Sequence, residues 1–128
     1  MTDQKGTFPT VDAQTFASVM GQAVWLMAMS KDHRELPIKT VEELLSPAIL
    51  LKQFRLYSQG KQPLAFVIWA SVSDEIKARL DSGGKLQELT EWRSGANIVV
   101  VECISPLHPA DTFIEKFMAS AQEAQANA

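Results

Sequence analysis

The chain is poor in the residues that staple a fold, hold a metal or cross a membrane. Its single cysteine, Cys103, forbids an internal disulfide and points to a reducing compartment, so a cytoplasmic setting is expected. No zinc-ligand spacing links that cysteine to the two histidines, His33 and His108, and no metal is expected. No apolar run approaches the ~20 residues that span a bilayer, so no integral membrane segment is expected. The opening stretch MTDQKGTFPT lacks the apolar core of a secretory signal. A glycine-rich phosphate loop and a G-x-S-x-G elbow are both missing, which removes two common routes to nucleotide and hydrolase chemistry. Basic residues are in the minority, 12 against 15 acidic, and the net charge of −3 argues against nucleic acid as a partner.

What remains is an ordinary globular composition, 46% hydrophobic and 21% charged over 128 residues, enough for one domain with a real core. The organisation read from it is a flexible N-terminus over 1–10, a single domain over 11–122 and a flexible tail over 123–128. The charge is uneven. Lys31 to Lys61 carries six basic residues against four acidic, whereas Glu102 to Ala128 carries one against four. A weakly acidic domain can therefore still present a local basic face to an acidic partner.

Phe16, Val19, Met20, Ala23, Val24 and Met27 recur at helical steps, with Asp12 placed as the N-cap. Pro37 forbids continuation. The pattern TVEE predicts a capping box at Thr40 and Glu43, and Ser46-Pro47 predicts a second helix start with Pro47 at the first helical position. Gln53–Tyr57 and Leu64–Ser71 read as a hairpin turning at Gly60, and Ser73 as the cap of a short helix ending at Gly83-Gly84. Asn97 to Ser105 is the most strand-like stretch, dense in β-branched residues, and a last helix begins near Asp111. The order α-α-β-β-α-β-α predicts an α+β fold with a mostly antiparallel sheet flanked by helices.

Glu102 breaks an otherwise apolar strand. Alternation with period two places it on a solvated face. A strand apolar on both sides is instead buried on both, and then its carboxylate needs a partner such as an imidazole. By itself His33 reads as a loop histidine and His108 as a local residue before a helix. Cys103, inside a β-branched strand, reads as a small hydrophobe rather than a nucleophile. Trp25, Trp69 and Trp92 read as core or interface residues.

A longer pattern joins these pieces. G-x-x-x-W-L at Gly21–Leu26 precedes S-x-x-H-R-x-x-P at Ser30–Pro37, then PAI at Pro47–Ile49 and Gln53. P-x-A-x-x-x-W-A-x-x-S-x-E follows at Pro63–Glu75, then W-x-S-G at Trp92–Gly95 and I-x-P at Ile104–Pro106. In this order and spacing, over about two-thirds of the chain, the set resembles the RTX toxin-activating lysine acyltransferases. The resemblance implies a GNAT-like fold and a cytoplasmic, dimerising enzyme. It implies transfer of a fatty acyl group from acyl carrier protein to internal lysines of an RTX protoxin, with no bound cofactor. The essential histidine of that family falls on His33, its serine on Ser30 and its catalytic aspartate on Glu102, so Glu102 is reached by two routes.

In that chemistry His33 takes the proton of a lysine amine whose ordinary pKa is about 10.4. Glu102 fixes the imidazole tautomer, and Ser30 donates to the thioester carbonyl or positions the base. Restoring the family's acid with Glu102→Asp is expected to keep substantial activity. An acyl-enzyme on Ser30 or His33 stays open. The turn SPLHPAD has no glycine and two prolines, unlike a pyrophosphate-binding turn, so an acyl-carrier donor is expected rather than acyl-coenzyme A. Lys31, Arg34, Lys52 and Arg55 are the candidate carrier-binding residues. Three departures from the family pattern stand out: Leu44 in place of asparagine, His108 in place of glycine, and a single helix after Pro109 where the family continues. They leave as the alternative a catalytically decayed protein that still binds protoxin or carrier.

Overall fold

A computed structural model of the chain describes residues 11–126. The elements run α1 (Ala13–Ala28), α2 (Ile38–Leu50), β1 (Phe54–Gln59), β2 (Gln62–Val72), α3 (Asp74–Asp81), a single 3-10 turn (Leu89–Trp92), β3 (Asn97–Ile104) and α4 (Ala110–Ala126). The three strands form one antiparallel sheet in the order β1-β2-β3. This is the α+β fold that the hydrophobic patterns predict.

The central strand β2 is apolar on both faces because both faces are covered. Phe66, Ile68, Ala70 and Val72 join Leu26 of α1 and Leu45 and Ile49 of α2 in the larger core. Ala65 and Val67 point the other way, against Phe113 and Phe117 of α4. Phe66 and Ile68 are fully buried, and each such side chain stabilises the fold by about 1.5–3 kcal/mol relative to exposure. The two-residue hairpin between β1 and β2 turns at Gly60 with φ +61, as a type II′ turn requires at its first central residue.

Asp12 caps α1 as expected, its carboxylate accepting from the Thr15 N–H at 2.8 Å. That backbone bond, with a second from the Thr15 side chain, lowers the Asp12 pKa. Ser73 likewise caps α3 through the Ile76 N–H. The segment after Pro37 differs from the sequence reading. α2 is one continuous helix that starts at Ile38, with Pro37 in the N-cap position and Pro47 in its last turn. Thr40 does not cap it and Ser46 does not restart it. Leu45, Ala48 and Ile49 are all fully buried on one face, and that packing outweighs the one hydrogen bond Pro47 removes.

α4 also runs to Ala126, four residues into the segment 123–128 read as a tail, because Glu, Ala and Gln are good helix formers. The flexible stretch expected over 1–10 and the end of the tail, residues 127–128, lie outside the described residues.

Candidate active site

The turn after α1 is built to hold a histidine still. Ser30 N–H closes onto the Met27 carbonyl at 3.0 Å, and the Ser30 carbonyl accepts from both His33 N–H (3.1 Å) and Arg34 N–H (2.9 Å). This tight turn brings the Ser30 Oγ to 2.6 Å from His33 Nδ1. Both residues are only 7% exposed, so His33 is no solvated loop residue.

Glu102 arrives from the other end of the domain. β3 pairs with β2 as Ile68↔Glu102 and Trp69↔Val100, which leaves Val101 as the extra residue of a β-bulge. The bulge changes which face the strand presents. Val99 and Val101 before it and Ile104 after it all pack on the α1–α2 side, while Ile98, Val100 and Cys103 face α4. Unbroken alternation from Val99 and Val101 would have turned Glu102 toward α4. The bulge re-aims it at His33, a use of bulges found beside active sites. Glu102 Oε2 lies 2.5 Å from His33 Nε2, and the Glu102 side chain is 37% exposed. Of the two readings open for Glu102, the structure selects the paired one.

The network assigns the protons. A carboxylate accepts only, so with a neutral ring Nε2–H donates to Glu102, and Nδ1 is left to accept from the Ser30 hydroxyl. Ser30 therefore spends its hydrogen on the ring and does not offer it to a substrate carbonyl in this arrangement. A cleft of about 480 Å³ opens at His33 and Glu102. Its apolar lining comes from Leu36, Leu44, Leu80, Leu86, Trp92 and Val101, with Glu43 and Lys85 among its polar residues. Ser30 does not line it. His33 and Glu102 face the cleft, and Ser30 stands behind the imidazole.

The other candidates fall in separate places. Lys31 and Arg34 flank the site histidine, Arg34 lying 3.9 Å from Glu35. Lys52 and Arg55 follow the far end of α2, a helix about 20 Å long at 1.5 Å per residue. Lys52 takes a left-handed conformation with φ +58 at that helix end, and the Arg55 guanidinium sits over the Phe117 ring on the α4 side. The four cations thus form two pairs and not one patch. His108 packs near Phe113 and its carbonyl accepts from Ser105 Oγ, a local role. Burial, reinforced by the Glu102 and Asp111 charges, pushes the Cys103 thiol up to about 11, which suits a packing residue. Among the described residues no cluster of three His, Cys, Asp or Glu side chains could hold a metal ion, and no helix is long and apolar enough to cross a membrane.

Several motif residues turn out to brace the site rather than line it. Gln53, 2% exposed, donates to the Trp92 carbonyl (3.0 Å) and the Trp69 carbonyl (3.2 Å) and accepts from Arg93 Nε (2.7 Å). In Trp92–Gly95, the Ser94 hydroxyl accepts from Ser73 N–H, and Gly95 lies against β2 so closely that a Cβ would come within 2.6 Å of Ser73 backbone atoms. Only glycine fits there. The sequence reading missed the cleft walls. Leu80, Leu86 and Glu43 come from three separate segments, and no spacing in the chain connects them.

Similarity to other proteins agrees with this geometry. Residues 12–126 match the model of the RTX toxin acyltransferase family. The chain is 30% identical over 98 residues to an uncharacterised protein of Synechocystis, covering 75% of this chain and 67% of that one. It is 34% identical to the lysine-acyltransferase RtxC of Vibrio cholerae, over 69% of this chain and 58% of RtxC. With the protein-lysine myristoyltransferase HlyC of Escherichia coli it shares 31% identity, over 69% of this chain and 51% of HlyC. The matched region spans between about half and two-thirds of the length of these relatives. With its family match running from the cap of α1 to the end of α4, the chain belongs to the RTX toxin acyltransferase family.

Proposed function

We propose that this domain is a protein-lysine fatty acyltransferase that carries an acyl group from the thioester of an acyl carrier protein to internal lysines of an RTX-type protoxin in the cytoplasm. The observation that carries the reading is the buried His33, held between Ser30 and Glu102, with only its Glu102 side facing an apolar cleft. A protein that merely binds its partners has no need of that constellation, which disfavours the decayed-enzyme alternative.

The amine of the acceptor arrives as an ammonium ion and must lose a proton to attack. Its charge is met by the Glu102 oxygen that His33 leaves free, and the proton passes to the Glu102–His33 pair. The amine nitrogen then bonds to the thioester carbonyl carbon and the carbon–sulfur bond breaks; of the two protons the ammonium sheds in becoming an amide, one goes to solvent and the pair passes the other to the leaving thiolate. Ser30 keeps the imidazole oriented, so transfer is direct, without an acyl-enzyme. Lys31 and Arg34, beside the cleft mouth, suit the acidic surface of a carrier protein. Lys52 and Arg55, at the far end of α2, offer a second contact. The exposed Val24 and Trp25 on α1 and Met29 at its C-cap are 39–43% accessible and are the apolar surface we assign to a homodimer contact. Trp69, the other tryptophan considered for that contact, is half-buried and packs against Phe117 at 5.9 Å.

The test is co-expression with a candidate acceptor, followed by intact-mass spectrometry. Wild type should add whole acyl groups to the acceptor, and His33→Ala should add none while keeping the circular dichroism of the fold. Equal acylation by both would overturn the assignment. Charge reversal at Lys31 and Arg34 should raise the KM for the acylated carrier protein at low salt and matter less at high salt.

A further inference from the structure

One cleft contains both His33 and Glu102. Its volume of about 480 Å³ lies within the ~300–1,000 Å³ of small-molecule sites. Leu44 of α2, Leu80 at the end of α3 and Leu86 in the loop that follows all line it.

That loop has no regular structure, yet it is firmly tied. The Arg79 guanidinium donates to both Glu91 oxygens (2.8 and 3.1 Å) and to the Lys85 carbonyl (3.1 Å). Glu91 in turn accepts from the Gln87 N–H at 2.7 Å. Gly84 folds over Arg79 so tightly that a Cβ would lie 2.6 Å from Arg79 Cγ.

We propose that this cleft seats the aliphatic tail of the acyl donor, and that the Leu80–Leu86 wall, braced by Arg79 and Glu91, sets the length of chain transferred. The inference rests on the transferase reading and deepens it. The thioester carbonyl must reach the amine at the His33–Glu102 pair, and the hydrocarbon bonded to that carbonyl continues from the same point. The space contiguous with the pair is lined by leucines, tryptophan and valine, where an alkyl chain leaves water and gains contacts, with Asp32, Thr40, Glu43 and Lys85 also in its lining. Arg79 is a positioning residue in this scheme. It touches the wall and not the substrate.

The experiment compares kcat/KM for a short and a long acyl chain on the same carrier protein. It also measures binding of unreactive thioether analogues of both. Leu86→Trp fills the cleft and should lower the long-to-short ratio at least ~10-fold, since a single methylene in an apolar pocket is already worth about that much. Leu44→Trp, from the α2 part of the lining, should do the same and serves if the first variant fails to fold. Arg79→Lys keeps the charge but loses the forked grip, and should flatten the chain-length preference while leaving the short-chain rate nearly intact. Analogue affinity should rise with chain length in wild type and level off in Leu86→Trp. Equal losses for both chains, or length-independent analogue binding, would overturn the proposal while leaving the transferase reading intact. Length-dependent binding without any transfer by wild type would keep the subsite and overturn the transferase reading.

Discussion

Exchanging Glu102 for aspartate puts the geometry of the dyad to its hardest test. The family resemblance makes aspartate the expected acid at this position, so the substitution alone would pass for a restoration. The distances argue otherwise. Aspartate is shorter by one carbon–carbon bond, about 1.5 Å. Starting from an Nε2–Oε2 separation of 2.5 Å, the carboxylate would stand roughly 4 Å from the ring at fixed backbone, beyond the ~3.2 Å reach of an N–H···O bond. The backbone is not free to follow. Glu102 pairs with the fully buried Ile68, and Ile104, two residues on, is fully buried as well. A displacement of ~1 Å in a catalytic group can cost about 10²-fold, so Glu102→Asp should lower kcat/KM by about that factor. Glu102→Gln keeps the length and one acceptor oxygen but loses the charge, and should fall further, by up to ~10⁴-fold. Rates of acyl addition read by intact mass, with thermal unfolding to confirm that both variants fold, give the ranking. An aspartate variant as active as wild type would refute the fixed-backbone argument, and an equally active glutamine variant would remove Glu102 from the chemistry.

Ser30→Ala should cost about 10²-fold by freeing the imidazole, and no acyl adduct should be found on Ser30 in wild type; a trapped acyl-serine would refute its placement behind the ring. Phe117→Ala should destabilise the domain by about 3–5 kcal/mol, because the ring is 2% exposed and stacks on Trp69; urea unfolding shows whether the loss stays below ~1 kcal/mol, which would mean that α4 is not part of the core. The Arg79 guanidinium and the Gln87 N–H hold the Glu91 carboxyl near 2, below its ordinary 4.5. The stability it contributes is therefore present in full above 4.5 and is lost as the pH falls toward 2. The gap in melting temperature between wild type and Glu91→Gln should shrink over that interval, and a gap independent of pH would refute the pairing.

Much of this protein is decided locally. Asp12 and Ser73 each carry a side-chain oxygen three residues ahead of a free backbone N–H, and no distant contact is needed for them to cap. Gly60 makes its turn because it alone accepts positive φ at no cost. The run of β-branched residues in β3 announces a strand. The ordered motif set placed His33, Ser30 and Glu102 in one site before any coordinate did. Where the sequence reading and the structure part, a long-range term has overruled a local one. Thr40 and Ser46 had suitable neighbours for capping, but the buried face of Leu45, Ala48 and Ile49 gains more from one unbroken helix through Pro47 than from two short ones. Alternation in β3 favoured a solvated Glu102 because a bulge depends on how two strands match along their length, and residue types alone do not report that match. His33 and Glu102 stand 69 residues apart, and their contact exists only because α1 packs on the sheet face toward which the β3 bulge turns Glu102. The cleft is likewise a gap between α2, α3 and the loop after it. Its shape follows from packing and from the forked grip of Arg79 on Glu91, so the sequence could name the paired side chains while only the tertiary structure could shape the space beside them.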